Sequence, residues 1–256
     1  MPSPDGPGDA GHAGHAQNTF HSPPYLAVVG VHCRKAGRTL FKDVSFEVAR
    51  GQIVELRGSN GSGKSTLLRV LAGLTPPSAG LLYWQCSPVQ GAPLQRGDEA
   101  YARQMAYLGH LNALGAELSA AENLRFFQRM HGGVVRDPAE ALQAWGLAHA
   151  AHQPVRSLSQ GQRRRLALAR VWSRQCSLWL LDEPCAALDD AGAKLLDARL
   201  AEHLAQGGTA IVATHRPLNV PAALLRTFDL DDLSLTPGRA GAAMVACGHV
   251  SLAAAC

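Results

Sequence analysis

Residues 58–66 read GSNGSGKST: three glycines, one lysine and, at the end, two adjacent hydroxyls. Little side chain screens the backbone here. Bare backbone N–H groups bind phosphate well, and a β-carbon would hold it at a distance. The spacing G-x-x-x-x-G-K-[ST] falls on Gly58, Gly63, Lys64 and Ser65. In that arrangement the loop wraps a β-phosphate and the next helix turns its positive end inward. Lys64 then spans the β- and γ-phosphates, and Ser65 offers a hydroxyl to Mg²⁺. The expected cradle is therefore the whole run: Gly58, Ser59, Asn60, Gly61, Ser62, Gly63, Lys64, Ser65 and Thr66.

Such a loop belongs between a strand and a helix, and both are legible. IVELRG (53–58) is a short strand, and STLLRVLAGL (65–74) sets Leu67, Leu68, Leu71 and Leu74 at helical spacing before Pro76 and Pro77. Upstream, YLAVVGV (25–31) and LFKDVSFEV (40–48) read as strands, the second alternating at Leu40, Val44, Phe46 and Val48. LLYWQ (81–85) and MAYLGH (105–110) are further strands. Residues up to about 160 are helical in character, with Ser119 and Glu122 forming a capping box for AENLRFFQRM and DPAEALQAWGL giving a second helix. Beyond them come GQRRRLALARVW as helix, SLWLLD as strand, DAGAKLLDARLAEHLA as helix and TAIVATH as strand. Alternation of this kind predicts an α/β fold with a mostly parallel sheet, its ligands gathered at the C-terminal ends of the strands. The helical middle is an insertion.

SLWLLDE supplies what a phosphate loop needs opposite it. Asp182 would hold Mg²⁺ at the strand end, and Glu183 would polarise the attacking water. In LSQGQRRRLALAR (158–170), Ser159 and Gly161 open a helix whose N–H groups can meet a second phosphate. The run Arg163, Arg164, Arg165 reads as one solvated helix face rather than a nucleic-acid contact.

Composition excludes several classes. At 46% hydrophobic and 17% charged residues, 256 residues describe one large globular domain or two modest ones, not a disordered chain. A net charge of +4 is a mild surface bias, carried mostly by arginine; Lys35, Lys42, Lys64 and Lys194 are the only lysines. Six scattered cysteines without a C-x-x-C pair suit a reducing compartment. No secretory signal opens the chain, and no window reaches the ~20 apolar residues that a bilayer crossing demands. Residues 1–23, rich in Pro, Gly, His and Ala, read as a disordered leader. His12, His15 and His21 within it show no metal-site spacing. Residues 236–256 read as a tail.

Taken together, GSNGSGKST, LSQGQ, LLDEP, AALD (186–189) and His215 in ATH resemble the ATP-binding subunit of an ABC transporter, over roughly residues 25–230. The resemblance implies a P-loop NTPase fold: a RecA-like core with a parallel sheet, an N-terminal antiparallel β portion, and a helical subdomain inserted at about 111–165 within a domain spanning 24–235. It implies ATP and Mg²⁺ as cofactors, with Ser65 and Asp182 on the metal and Lys64, Glu183 and His215 in catalysis. It also implies a homodimer in which Ser159, Gly161 and Gln162 reach the nucleotide of the other copy in trans and Asp189 communicates across the interface. Gln160 stands where many relatives have glycine, and His110 where they usually have glutamine. VHCRKAGR lacks the usual adenine-stacking aromatic, leaving Arg34 or Lys35 to cover the base. Soluble relatives in DNA repair or translation carry long coiled-coil insertions or two cassettes, neither of which is present. Within the family, YLGHLNALGAELSAAENLRFF and ATHRPLNV resemble the haem-exporter ATP-binding proteins of bacterial cytochrome c maturation. That implies integral membrane partners at the cytoplasmic face of the inner membrane, no nucleic acid, and no direct haem contact by this subunit; export of another substrate is the alternative.

Overall fold

The computed structural model describes residues 25–35, 37–85, 91–131 and 135–237. The leader at 1–23, with its three histidines, and the tail beyond 237 lie outside the described residues. Two sheets organise the rest. The first is antiparallel, with β1 (Leu26–Lys35) flanked by β2 (Arg38–Val48) and β4 (Ala79–Trp84). Between those flanking strands the chain makes β3 (Ile53–Arg57) and α1 (Lys64–Leu71). It continues through α2 (Glu99–Gln104), β5 (Met105–Leu108), α3 (Ala120–His131), α4 (Pro138–Ala144), α5 (Gln160–Ser173), β6 (Leu178–Asp182), α6 (Asp190–Ala205), β7 (Thr209–Ala213), β8 (Leu225–Asp229) and β9 (Ser234–Pro237).

The larger sheet runs β5-β6-β7-β3-β8-β9, parallel throughout except for the antiparallel edge pair β8/β9. Strand β3, which leads into the glycine loop, sits between β7 and β8. Successive residues of its strands serve opposite faces, as a period of two requires. Trp179 and Leu181 of β6 join Val212 and Ala210 of β7 in one apolar layer, against Leu124, Leu142, Trp145, Leu168 and Leu200 of the helices. Leu178 and Leu180 join Ile211, Val54 and Phe228 in the other, against Leu67, Leu68 and Leu71 of α1 and the antiparallel sheet. Both faces are covered, which is why these strands are near-continuous apolar runs.

Local signals mostly act as expected. Ser119 N donates to Glu122 Oε2 at 2.8 Å and Glu122 N to Ser119 Oγ at 3.2 Å, closing the capping box ahead of α3. Helix α1 stops at Leu71, earlier than its apolar spacing suggests, and Leu74 is 58% exposed. Gly73, at φ +69°, turns the chain there, before the two prolines. Helix α2 and strands β8 and β9 were not anticipated; β8 has one fully buried position, Phe228, so its sequence shows no apolar run. Among the described residues no helix is long and apolar enough to cross a membrane.

Candidate active site

The glycine loop bridges the end of β3 and the start of α1, as the sequence requires. Gly58, Gly61 and Gly63 have φ of +137°, +88° and +106°, conformations that L side chains rarely adopt. At Gly63 a β-carbon would also lie 2.7 Å from Phe41 Cδ1. The loop's curvature therefore depends on the absence of side chains. A cavity of about 390 Å³ opens on it, lined by Lys35, Leu40, Asn60, Gly61, Gly63, Lys64, Ser65, Thr66, Asp182, Glu183 and His215. Lys64, 8% exposed, donates from Nζ to Gly58 O at 2.8 Å and Ser59 O at 3.0 Å, so its charge is held inside the loop's own arc.

Across the cavity, β6 ends at Asp182, which is 3% exposed. Its Oδ1 accepts a 3.0 Å hydrogen bond from Ser65 Oγ, the first turn of α1 meeting the end of the neighbouring strand. One carboxylate and one hydroxyl form a hard oxygen pair, the partial donor set with which Mg²⁺ is shared between protein, water and phosphate. Glu183 follows in the left-handed region at φ +47°, a strained setting for a non-glycine residue. Its Oε1 lies 3.5 Å from His215 Nε2, which extends beyond β7. Loop, carboxylates and imidazole thus converge from the C-terminal ends of three adjacent strands, β3, β6 and β7, where ligands of open α/β sheets bind.

Residues 41–186 match the sequence profile of the family described as ABC transporter.

The chain belongs to the ABC transporter family.

It is an α/β ATPase of that family. Among curated relatives it is 46% identical, over 81% of this chain and 88% of the other, to the cytochrome c biogenesis ATP-binding export protein CcmA of Cupriavidus necator. It is 43% identical to the protein of that name from Escherichia coli K12, over 77% of this chain and 92% of the other. Among solved structures, an ATP-binding subunit of an ABC transporter superposes with a TM-score of 0.65 at 27% identity, over 75% of this chain and 80% of that one.

In this ABC ATPase the residues expected to act in trans lie apart from the cavity. Ser159 caps α5 in a reciprocal pair with Gln162, Ser159 N to Gln162 Oε1 at 2.8 Å and Gln162 N to Ser159 Oγ at 3.2 Å. Gly161 packs under Ala187, where a β-carbon would come within 3.0 Å of the carbonyl oxygen. None of Ser159, Gly161 and Gln162 lines the cavity that contains Lys64. Asp189 caps α6 through Gly192 N at 2.8 Å. Lys35 lines the cavity and Arg34 does not.

Two residues escaped the sequence reading. Asp231, in the turn after β8, accepts from Ser59 N at 2.7 Å and Ser59 Oγ at 3.1 Å, so the outer limb of the loop is clipped to the sheet. No spacing rule reaches across 172 residues. Arg164 departs from the solvated-face expectation: it is 3% exposed and points inward. Its place next to the apolar Leu166–Ala169 stretch was the available signal.

Proposed function

We propose that this chain is the ATP-hydrolysing motor of a membrane transporter that drives haem export in c-type cytochrome biogenesis, acting as a homodimer at the cytoplasmic face of the inner membrane. The observation that carries the haem assignment is the 46% identity to a cytochrome c biogenesis export protein across 88% of its length. Support for a two-copy site comes from the placement of Ser159, Gly161 and Gln162 outside the chain's own cavity: the N-terminus of α5, able to receive a phosphate, is not part of the site that holds Lys64.

The glycine loop binds the β-phosphate through its amides. Lys64 exchanges its contacts with Gly58 O and Ser59 O for phosphate oxygens. Ser65 and Asp182 would hold Mg²⁺, which when bound neutralises charge on the terminal phosphates. Glu183 accepts a proton from a water whose oxygen attacks the γ-phosphorus. The bond from that phosphorus to the bridging oxygen breaks, and ADP leaves with the electron pair. His215, beside Glu183, contacts the γ-phosphate. Lys35 lies over the base in place of an aromatic ring. The membrane subunits, not this one, meet the porphyrin.

Two measurements test this. Deleting the chain should abolish staining for covalently bound haem on periplasmic c-type cytochromes; normal staining would move the assignment to another exported substrate. ATP hydrolysis by the purified chain should rise more steeply than linearly with protein concentration. Strict proportionality down to concentrations where the protein is monomeric would overturn the shared site.

A further inference from the structure

Arg164 lies in the first half of α5, and its guanidinium is spent entirely inside the protein. Nε donates to Pro184 O at 3.3 Å. Nη1 donates to Gly109 O at 3.1 Å and Asn112 Oδ1 at 2.9 Å. Nη2 donates to Asp182 O and Glu183 O, both at 2.7 Å. A guanidinium has five N–H donors in one rigid plane, and here each has an acceptor. Burial lowers its pKa from the ordinary range, and the negative charges of Asp182 and Glu183 act in the opposite direction. The side chain remains a cation, as arginine does in proteins.

The pattern of acceptors is informative. Three are consecutive carbonyls, Asp182, Glu183 and Pro184, the turn in which Glu183 holds its left-handed φ of +47°. That conformation costs on the order of 1–3 kcal/mol and persists only where the surroundings over-determine it. Asp182 O and Glu183 O converge on a single nitrogen, which only a sharply bent backbone permits. The other two acceptors come from the loop after β5, on either side of His110 and Leu111. A buried arginine with this many partners could serve stability alone, but its contacts concentrate on the backbone of the proposed general base.

We infer that Arg164 is a positioning residue for hydrolysis: by clamping the 182–184 carbonyls it fixes the backbone from which Glu183 reaches the water, and it ties that turn to the loop carrying His110. It touches neither nucleotide nor water. The inference rests on the role proposed for Glu183.

The test uses the full-length chain with MgATP, comparing Arg164→Lys, Arg164→Gln and Glu183→Gln. Lysine keeps the charge but has one nitrogen with three donors, so it cannot span the five acceptors. A displaced base should lower kcat by about 10²-fold while KM for ATP stays within about twofold, since misplacement near 1 Å has that effect on rate. The second readout is the ATP-bound dimer by size exclusion. Like Glu183→Gln, Arg164→Lys should accumulate it, because binding survives and hydrolysis fails. If Glu183→Gln itself accumulates no such dimer, the role given to Glu183 fails. If Glu183→Gln does and a folded Arg164→Lys does not, or Arg164→Lys turns over normally, the inference on Arg164 fails. Arg164→Gln, shorter and uncharged but still an amide donor, takes the same readouts if the lysine variant does not fold. Should neither fold, the residue is structural and the proposal falls.

Discussion

Replacing Gly63 by alanine tests how the nucleotide loop keeps its shape. Gly63 has φ +106° and ψ +9° at the N-cap of α1, and its β-carbon would lie 2.7 Å from Phe41 Cδ1 and 3.1 Å from Cε1. Two costs follow. Holding an L residue in this conformation takes ~1–2 kcal/mol. Crowding a ring that is only 4% exposed, with the core behind it, takes another ~1–3 kcal/mol. Together they come to about 2–5 kcal/mol, a large share of the 5–15 kcal/mol typical of a domain. At ~2–4 °C per kcal/mol for a chain this long, Tm should fall by ~4–20 °C. Whatever the loop yields in the empty protein to relieve strain must be restored when phosphate binds. ATP affinity should therefore fall too, tenfold for each ~1.4 kcal/mol so transferred. Differential scanning calorimetry and titration with ATP measure the two parts. In a Phe41→Leu background the steric part should vanish, leaving about 1–2 kcal/mol. A Gly63→Ala protein with unchanged Tm and unchanged ATP affinity would refute this account of the loop.

Three further outcomes are expected. Glu183→Gln should bind ATP normally and lose ~10²–10⁴-fold in turnover, the range for removal of a general base; a protein that cycles at the wild-type rate would strip Glu183 of its role. Lys64→Ala removes charge-assisted bonds worth about 1.5–3 kcal/mol, so ATP affinity measured by equilibrium binding should drop ~10–150-fold. His203 is 7% exposed, stacks on Trp179 with ring centroids 4.0 Å apart, and burial pushes its imidazole down to about 4 from 6.5. Below pH 6.5 the unfolded chain takes up a proton that the folded one refuses. Stability from this group is thus complete above that pH and declines by about 3 kcal/mol as pH falls to 4. Asp197, whose carboxyl burial raises, acts in the opposite sense and is common to wild type and variant. Urea unfolding of His203→Leu from pH 4 to 7 should show a profile flatter than wild type by that amount; parallel profiles would rule it out.

Residues 58–66 and 177–183 were legible because each couples a local chemical need to a local pattern. A phosphate loop needs glycine where φ is positive, and a buried strand needs an unbroken apolar run that ends in carboxylates. The capping residue Ser119 was readable for the same reason, since it and Glu122 lie three positions apart. What escaped depends on distant pairs. Arg164 is marked in the sequence only by the apolar stretch that follows it; its five acceptors are mostly main-chain carbonyls, which every residue has, so no pattern names its partners. Asp231 is one acidic turn residue among several until the sheet order sets it beside Ser59. Strand β8 has a single fully buried side chain because it lies next to the sheet's edge. Helix α2, six residues long, is too short for a helical period to repeat.

The position of β3 has a bearing on how the protein is made. Its neighbours on both sides, β7 and β8, belong to the last stretch of described chain, and Asp231 follows them. During vectorial synthesis the segment destined to grip ATP leaves the ribosome early and waits, unflanked, for more than a hundred residues. Nucleotide therefore has no finished socket to enter until translation is nearly done, and a chain stalled before β7 carries the full glycine motif without the two strands that flank β3 or the Asp231 clip. Such long-range pairing makes folding slow relative to a helical protein of equal size, and leaves an apolar strand edge uncovered in the interval.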